Sequence, residues 1–320
     1  MIDVIALGET IVDLTGAGRS ENGQRLFEEN AGGAASIVAA TAARMGVDSM
    51  LIGKVGADSF GDFLESTMRA YQVSTAGMVF DPDAFTTLCF VDLDENGRPR
   101  YAFVRKPGAD TQLEIGELPL EMLDQCGVLH ISGLALTDEP IRSAATVAVQ
   151  VARESGVMVS LDPNYRNDLW VSKEAFKART LNALNKVDVV VMDLEEMTIL
   201  TGEVRPDAAS ERLLSKGLSI VVIRMGMDGT YVRTREGEVV VSSPKLNPID
   251  LTGAGAIFIG TFLASLSRSA AKLETPLVTL KDYVLLGNAA SALSTTVRGG
   301  TPSIPTEAAV HDLLMNAPEN

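Results

Sequence analysis

Short apolar runs alternate with helical patterns along most of the chain, and this alternation restricts the possible folds more than any other feature. Apolar runs typical of buried strands occupy residues 3–7, 49–55, 127–132, 156–161, 187–192 and 219–224. Patterns typical of helices lie between them, at residues 34–45, 58–72, 139–154 and 206–216. Strands that alternate with helices predict an α/β domain built on a largely parallel sheet.

One region breaks this alternation. Residues 86–105 contain two strand patterns on either side of Asn96-Gly97, and Asn-Gly is a strong signal for a hairpin turn. Residues 10–31 are also rich in strand and turn signals and could pair with this hairpin. The sequence therefore predicts a small β-lid of residues 13–31 and 77–106. The α/β core would consist of residues 1–12, 32–76 and 107–320.

The charge balance excludes several classes of partner. The chain has 27 Lys and Arg against 42 Asp and Glu, which gives a formal net charge of −15. A surface this acidic repels phosphate backbones and anionic lipids, so nucleic acid and membrane surfaces are excluded as general partners. No apolar run approaches the roughly 20 residues of a membrane helix. Because the chain opens on a strand without a basic region, a signal peptide is not expected, and we expect a cytoplasmic protein.

Cysteine and histidine are rare, which narrows the chemistry further. Cys89 and Cys126 both lie in apolar runs and are expected to be reduced core thiols. The two histidines, His130 and His311, cannot build a His-rich metal site. His130 follows an apolar stretch and is expected to be a packed strand residue, which disfavours a Ser-His-Asp hydrolase.

Three glycine-centred clusters could approach a ligand closely. Residues 32–36 (GGAAS) precede a helix whose N-terminus favours an anion or hydroxyl-rich group, although a tight turn explains them equally well. Residues 226–229 (GMDG) follow a strand and fit a nucleotide contact or a simple hairpin turn. Residues 250–260 (DLTGAGAIFIG) begin an apolar helix with small residues, which leave N–H groups free as an anion hole or allow close packing. A standard P-loop is absent, and so is the dinucleotide-binding Gly-x-Gly-x-x-Gly after the first strand.

Taken in order, the segments resemble the ribokinase-like (PfkB) carbohydrate kinases, and within them the bacterial fructokinases. The matching segments, which span essentially the whole chain, are LGETIVDLTGAGRSENGQRLFEENAGGAA (7–35), IGKVGADSFGDFL (52–64), FVRKPGADTQL (103–113), LDPNYRNDLW (161–170), LEEMTILTGE (194–203), IRMGMDGTYV (223–232), DLTGAGAIFIG (250–260) and NAASALSTTVRGGTPSIPT (288–306). The resemblance implies a three-layer α/β/α sandwich with a mostly parallel sheet and a β-lid. It also implies phosphorylation of a sugar hydroxyl with ATP and Mg²⁺. In some members the lid forms a homodimer.

The resemblance also assigns residues to the sugar. Asp13 resembles the acidic residue that accepts hydrogen bonds from sugar hydroxyls, and the surrounding match favours this role over that of a turn or cap aspartate. Gly32 and Gly33 resemble the backbone that lies against the sugar. Arg105 resembles the lid-strand arginine near the substrate, and Arg166 resembles a second active-site arginine. Either arginine could instead be a surface charge.

Other positions resemble the nucleotide and ion sites of the family. Asp193 and Glu196 fall on the Asn-x-x-Glu segment that supports Mg²⁺ through water, with Asp in place of Asn. The positions that match the nucleotide site are Arg224, Gly226, Gly229 and Asn288. The positions that match a monovalent-cation site, for K⁺ in some members, are Asp250, Thr252, Gly299 and Ser303. The anion hole falls on Gly253, Ala254 and Gly255.

Two departures from the family pattern affect the chemistry. Ala256 stands where the family has the Asp that takes the proton from the attacking hydroxyl, and a methyl group cannot accept a proton. Loss of a general base typically costs about 10²–10⁴-fold in rate, so we expect severe impairment. Ile37 stands where the family has an Asn that hydrogen-bonds the sugar, and each unsatisfied buried group costs about 1–3 kcal/mol. Leu251, in place of a Thr, is a lesser change.

Three explanations of these departures remain open. The residues could have been replaced deliberately, the chain could be a natural relative that binds without catalysis, or another group could serve as base. The third is disfavoured, because no nearby carboxylate obviously takes over. A second substrate class also remains open. Arg105 and Arg166 could pair with a carboxylate, as a 2-keto-3-deoxygluconate-type sugar-acid kinase requires.

Overall fold

The structure is a computed structural model that describes residues 1–316. Its strands form two sheets, one large and one small. In chain order the strands are β1 (Val4–Leu7), β2 (Ile11–Arg19), β3 (Arg25–Gly32), β4 (Ser49–Gly56), β5 (Ser74–Asp81), β6 (Leu88–Leu93), β7 (Pro99–Val104), β8 (Val128–Ser132), β9 (Met158–Asp162), β10 (Val189–Asp193), β11 (Ile220–Arg224), β12 (Thr230–Thr234) and β13 (Gly237–Val241). The α-helices are α1 (Ala34–Arg44), α2 (Ser59–Ala70), α3 (Leu120–Leu123), α4 (Ile141–Glu154), α5 (Lys173–Leu184), α6 (Leu194–Thr201), α7 (Pro206–Leu214), α8 (Ala254–Ser267), α9 (Leu277–Ser294) and α10 (Glu307–Asn316).

The large sheet has the strand order β13-β12-β11-β10-β9-β8-β1-β4-β5. Its strands pair in parallel from β5 to β11, and only β12 and β13 run antiparallel to their neighbours. The mostly parallel sheet predicted from the alternation is therefore confirmed.

Helices cover both faces of this sheet. Side chains alternate along a strand, so neighbouring residues of β1 point to opposite faces. Val4 and Ala6 pack into a hydrophobic cluster with apolar residues of α1, α8 and α9. Ile5 and Leu7 pack into a second cluster with apolar residues of α4, α5 and α7. The result is the expected α/β/α sandwich.

The small sheet is the lid, with the order β3-β2-β6-β7. The predicted hairpin is present, and its turn is held by the Asp94 carboxylate, which accepts hydrogen bonds from the N–H groups of Asn96 and Arg98. Gly97 has a φ of +71°, which a side chain would disfavour. The Gly97 carbonyl accepts a hydrogen bond of 2.9 Å from the Leu251 N–H, so the lid tip contacts the loop before α8.

The lid boundary differs from the sequence-based one. Residues 77–81 belong to β5, which pairs with β4 in the large sheet, so the second lid segment begins only after Asp81. Cys89 lies in the small lid core and Cys126 in the second core cluster, both as buried free thiols. His130 is fully buried in β8, as expected. Among the described helices, none is long and apolar enough to cross a membrane.

Candidate functional site

A cavity of about 290 Å³ opens at the carboxyl edge of the large sheet, beneath the lid. Open α/β sheets bind ligands at this edge, because the loops after the parallel strands converge there. The predicted site residues that line it are Asp13, Gly33, Ile37, Arg166, Asp193, Glu196, Arg224, Thr252, Gly253, Gly255 and Ala256. Residues of four strand ends and of the first turn of α8 are thus brought together.

The start of α8 forms the predicted anion hole. Gly253 precedes the helix with a φ of +78° and provides no side-chain cap, so the first N–H groups have no side-chain partner there. Arg224, at the end of β11, lies directly against Gly255, where an added Cβ would come 2.4 Å from the arginine Nη1. A helix N-terminus beside a guanidinium favours an anion. Ala254 belongs to the same turn but does not line the cavity.

Asp13 is an acidic residue of the cavity whose two carboxylate oxygens both lack a partner among the described residues. It is buried in β2, and its carboxylate has no hydrogen-bond or ion-pair partner within residues 1–316. Gly32 on the paired strand makes room for it, since a Cβ there would lie 2.2 Å from Oδ2. Burial raises the pKa of Asp13 to about 7, although the charge of Arg166 opposes this rise. Such a carboxylate is suited to accept hydrogen bonds from ligand hydroxyls.

Sequence reasoning missed Glu9 and Asn164, which also line the cavity. The Glu9 Oε1 accepts hydrogen bonds from the Ala34 N–H at 2.7 Å and from the Asn164 Nδ2 at 3.2 Å. Its Oε2 is buried and has no partner among the described residues, and burial raises the pKa of this carboxyl. The position of Glu9 just after the first buried strand could have indicated its place at this edge of the sheet.

Gly33 allows the backbone of α1 to approach this acidic residue. A Cβ on Gly33 would lie 2.4 Å from the Glu9 carbonyl oxygen, and its φ is +94°. At both Gly32 and Gly33 a side chain would therefore clash with a neighbour, which explains why glycine occupies both positions.

The two arginines assigned to the sugar lie in different surroundings. The Arg166 guanidinium lies over the Tyr101 ring at 5.0 Å from its centroid and lines the cavity. It forms no ion pair with any residue that the structure describes. Arg166 is thus placed to bind an anionic or hydroxyl-rich group.

Arg105 lies in what we call the hinge cluster, formed by Arg105, Asp110, Leu134 and Thr137. Its Nε donates to the Asp110 Oδ2 at 2.7 Å, its Nη1 to the Thr137 Oγ1 at 3.0 Å, and its Nη2 to the Leu134 carbonyl at 3.3 Å. It does not line the cavity. This geometry joins the end of the lid to the core, and the place of Arg105 near the substrate stays a prediction.

Asp193 and Glu196 are held as a reciprocal cap at the start of α6. Each carboxylate accepts the backbone N–H of the other at 2.9 Å, and Glu196 also accepts the Tyr165 N–H at 2.8 Å. Burial and the nearby Asp193 and Asp162 carboxylates raise the pKa of Glu196. Within residues 1–316 no group of three or more acidic, His or Cys side chains forms a metal cage. The acidic pair fits Mg²⁺ that keeps most of its water ligands.

The residues matched to a monovalent cation organise a loop. Asp250 accepts the Thr252 N–H through Oδ1 and the Gly299 N–H through Oδ2, both at 2.8 Å. The Ser303 hydroxyl donates to the Gly300 carbonyl. The buried Thr252 hydroxyl has no partner in the described part of the chain and retains its lone pairs.

Three residues matched to the nucleotide lie outside the cavity lining. Gly226 and Gly229 form the tight turn between β11 and β12, which are antiparallel, so the hairpin reading of this segment is confirmed. Asn288 in α9 accepts from the Thr230 hydroxyl and donates to the Val241 carbonyl. These contacts fix the turn after β11 and the position of β12 and β13 against α9, and a nucleotide contact of the three residues stays a prediction.

The comparisons with known proteins agree with this geometry. A family model described as "pfkB family carbohydrate kinase" matches residues 1–307. Probable fructokinase-7 of Arabidopsis thaliana is 35% identical, over 97% of this chain and 92% of the relative. The fructokinase of Vibrio cholerae, solved with fructose, ADP and calcium ion, has a TM-score of 0.90 at 33% identity and covers 98% of this chain and 99% of its own. The fructokinase of Xylella fastidiosa with bound ATP has a TM-score of 0.89 at 25% identity, covering 98% of both chains.

Proposed function

This chain belongs to the pfkB family of carbohydrate kinases, and from that premise we propose that it is a fructokinase-like protein that binds ATP and a ketohexose. This proposal rests on one observation: the same cavity contains an anion hole and, beside it, unpartnered polar side chains that suit sugar hydroxyls. We place the protein in the cytoplasm, because both of its cysteines are free and buried, as in a reducing compartment.

The nucleotide phosphates fit the start of α8, where Gly253, Gly255 and Arg224 present N–H groups and positive charge. Asp193 and Glu196 would hold Mg²⁺ through its water ligands. When bound, Mg²⁺ offsets the charge of the transferring phosphoryl group. The unpartnered Thr252 hydroxyl supports a monovalent cation such as K⁺ beside the same phosphates.

The acceptor sugar fits beneath the lid. Asp13 would accept hydrogen bonds from its hydroxyls, Arg166 would donate to its oxygens, and the Gly33 backbone would lie against its ring. These residues orient the sugar toward the anion hole and exclude bulk water from it. Orientation of this kind supplies much of the rate of phosphoryl transfer.

Proton removal from the attacking hydroxyl is the step this chain lacks. Ala256 lines the cavity one residue after the anion hole and offers no acceptor. We therefore propose that phosphoryl transfer is severely impaired while binding of both ligands is retained. If phosphoryl transfer is lost completely, the protein has a non-catalytic role in which it only binds sugar and nucleotide.

A coupled ADP-release assay with D-fructose tests this directly. Ala256→Asp is expected to raise sugar-dependent turnover by about 10²-fold or more, because it supplies a general base. Ala256→Asn is the matched control, since it has nearly the same size and no basic carboxylate. If neither Ala256→Asp nor its combination with Ile37→Asn raised sugar-dependent turnover, the impaired-kinase proposal would be wrong.

A sugar-acid kinase is the second candidate, favoured by the free guanidinium of Arg166. The partner arginine it would require, Arg105, is engaged in the hinge cluster. Arg166 alone cannot clamp a carboxylate between two arginines, so the site suits a neutral ketohexose better than a sugar acid. Calorimetric titration with 2-keto-3-deoxygluconate and with fructose distinguishes the two, because only the preferred class should bind tightly.

We also propose that two copies associate through the lid. The two edge strands of the lid, β3 and β7, expose Leu26, Phe27 and Val104, and exposed strand edges can pair with a second copy. Sedimentation of the purified chain measures the oligomeric state, and a monomer at all concentrations would contradict this.

A further inference from the structure

The cavity has two chemically different sides. One side, here the polar wall, consists of Glu9, Asp13 and Arg166. The other side, here the apolar patch, consists of Ile37, Leu251 and Ala256. The apolar patch belongs to α1, the loop before α8 and the first turn of α8, so it adjoins the anion hole.

The Ile37 side chain is fixed in the apolar patch by close packing. Its Cδ1 lies 3.2 Å from the position a Cβ would take on Gly253, and 2.9 Å from that position on Gly300. Ile37 and Ala256 belong to the same buried hydrophobic cluster. The δ-methyl thus lies against Gly253 and Gly300, which leave room for it because neither carries a side chain. This packing and the burial of Ile37 place its side chain in the apolar patch.

The side chains of this patch offer no donor or acceptor to a ligand. A hydroxyl buried against them would lose its water and gain no side-chain partner, which corresponds to about 5- to 150-fold weaker binding per hydroxyl. A methyl or methylene group at the same place would lose nothing and would bury apolar surface. The polar wall has the opposite preference, because the side chains of buried Asp13 and half-buried Arg166 have no partner among the described residues and favour polar ligand atoms.

We propose that the ligand of this cavity is a deoxy sugar or a methyl-bearing polyol. Its carbon without a hydroxyl lies against the apolar patch, and its remaining hydroxyls face the polar wall. This inference rests on the proposed sugar site and specifies the class of sugar. It assigns Ile37 and Ala256 a positive role in selecting the ligand, beyond the loss of a base and a hydrogen bond.

Calorimetric binding of D-fructose, 1-deoxy-D-fructose and 6-deoxy-D-fructose to the full chain tests this without depending on turnover. At least one deoxy sugar should bind 5-fold or more tightly than fructose. The double variant Ile37→Asn with Ala256→Asp should reverse the preference, because it restores polar groups to the patch. Ile37→Leu is the matched control and should keep the preference, and circular dichroism reports whether each variant is folded.

The outcomes separate the two proposals. If fructose binds as tightly as both deoxy sugars, or more tightly, the deoxy-sugar inference is overturned while the sugar site stands. If no sugar binds either to the chain or to the folded double variant, the sugar site itself is overturned. A preference for a deoxy sugar that the double variant reverses supports both.

Discussion

The hinge cluster and the polar wall each contain an arginine and a buried aspartate, but Arg105 is buried whereas Arg166 is only half-buried. In the hinge cluster, Arg105 is bonded to Asp110 and to two further groups. In the polar wall, the side chains of Asp13 and Arg166 have no hydrogen-bond partner among residues 1–316. Buried charge is costly unless it is paired. Breaking the satisfied pair should therefore destabilise the fold, whereas the side chains of Asp13 and Arg166 are free to bind a ligand.

The largest effect is expected in the hinge cluster. Arg105→Leu leaves the Asp110 carboxylate buried without its cation, which should lower the free energy of unfolding by about 3–5 kcal/mol. Chemical denaturation measures this. The double variant Arg105→Leu with Asp110→Leu should recover part of the loss, since a buried pair can be replaced by apolar groups more cheaply than it can be broken. A loss below about 1 kcal/mol in the single variant would mean that Arg105 does not hold the lid.

The next largest effect is the pH dependence of stability that Asp13 causes. Its folded-state pKa of about 7 lies above its ordinary value of 3.8, so the folded state binds the proton more tightly than the unfolded state. The stability that it contributes is present at acid pH and is lost as pH rises to about 7. Between pH 5 and pH 8 the chain should lose about 2–3 kcal/mol of unfolding free energy relative to Asp13→Asn.

Denaturation of both chains at several pH values isolates this group. Arg166, Glu9 and Asp250 are the charged groups that act on Asp13, and they are present in both chains. A pH-independent difference in stability would show that Asp13 titrates normally.

Arg166 should show the smallest effect on stability and a clear one on binding. Arg166→Leu removes a cation that has no ion-pair partner in the described chain, so the free energy of unfolding should change by less than about 1 kcal/mol. Sugar affinity should fall about 10- to 100-fold, measured by calorimetry. Arg166→Lys keeps the charge but loses the planar contact with Tyr101, and it should recover only part of the affinity. Unchanged affinity in Arg166→Leu would remove Arg166 from the site.

Much of the fold could be predicted from the sequence, because buried parallel strands appear as nearly continuous apolar runs. The runs at 127–132 and 219–224 became Val128–Ser132 and Ile220–Arg224. The lid boundary was wrong because β5 lies at the edge of the large sheet, where half-buried residues blur the pattern.

The site was harder to predict, because the sequence shows residue types but not their partners. From the sequence, Arg105 and Arg166 are equally good candidates for a sugar-binding arginine. The packing of the 133–137 segment against Arg105 distinguishes them in the structure. Glu9 was missed since its importance depends on contacts with Ala34 and Asn164, which are distant in the chain.

The position of β1 has a consequence for biosynthesis. This strand lies between β4 and β8, so it is made long before its second neighbour exists. At about 5–20 residues per second, β8 follows on the order of ten seconds after β1. During that interval one edge of β1 has no strand partner, so its apolar side chains, which lie in the middle of the finished sheet, offer the nascent chain's chaperones a binding segment.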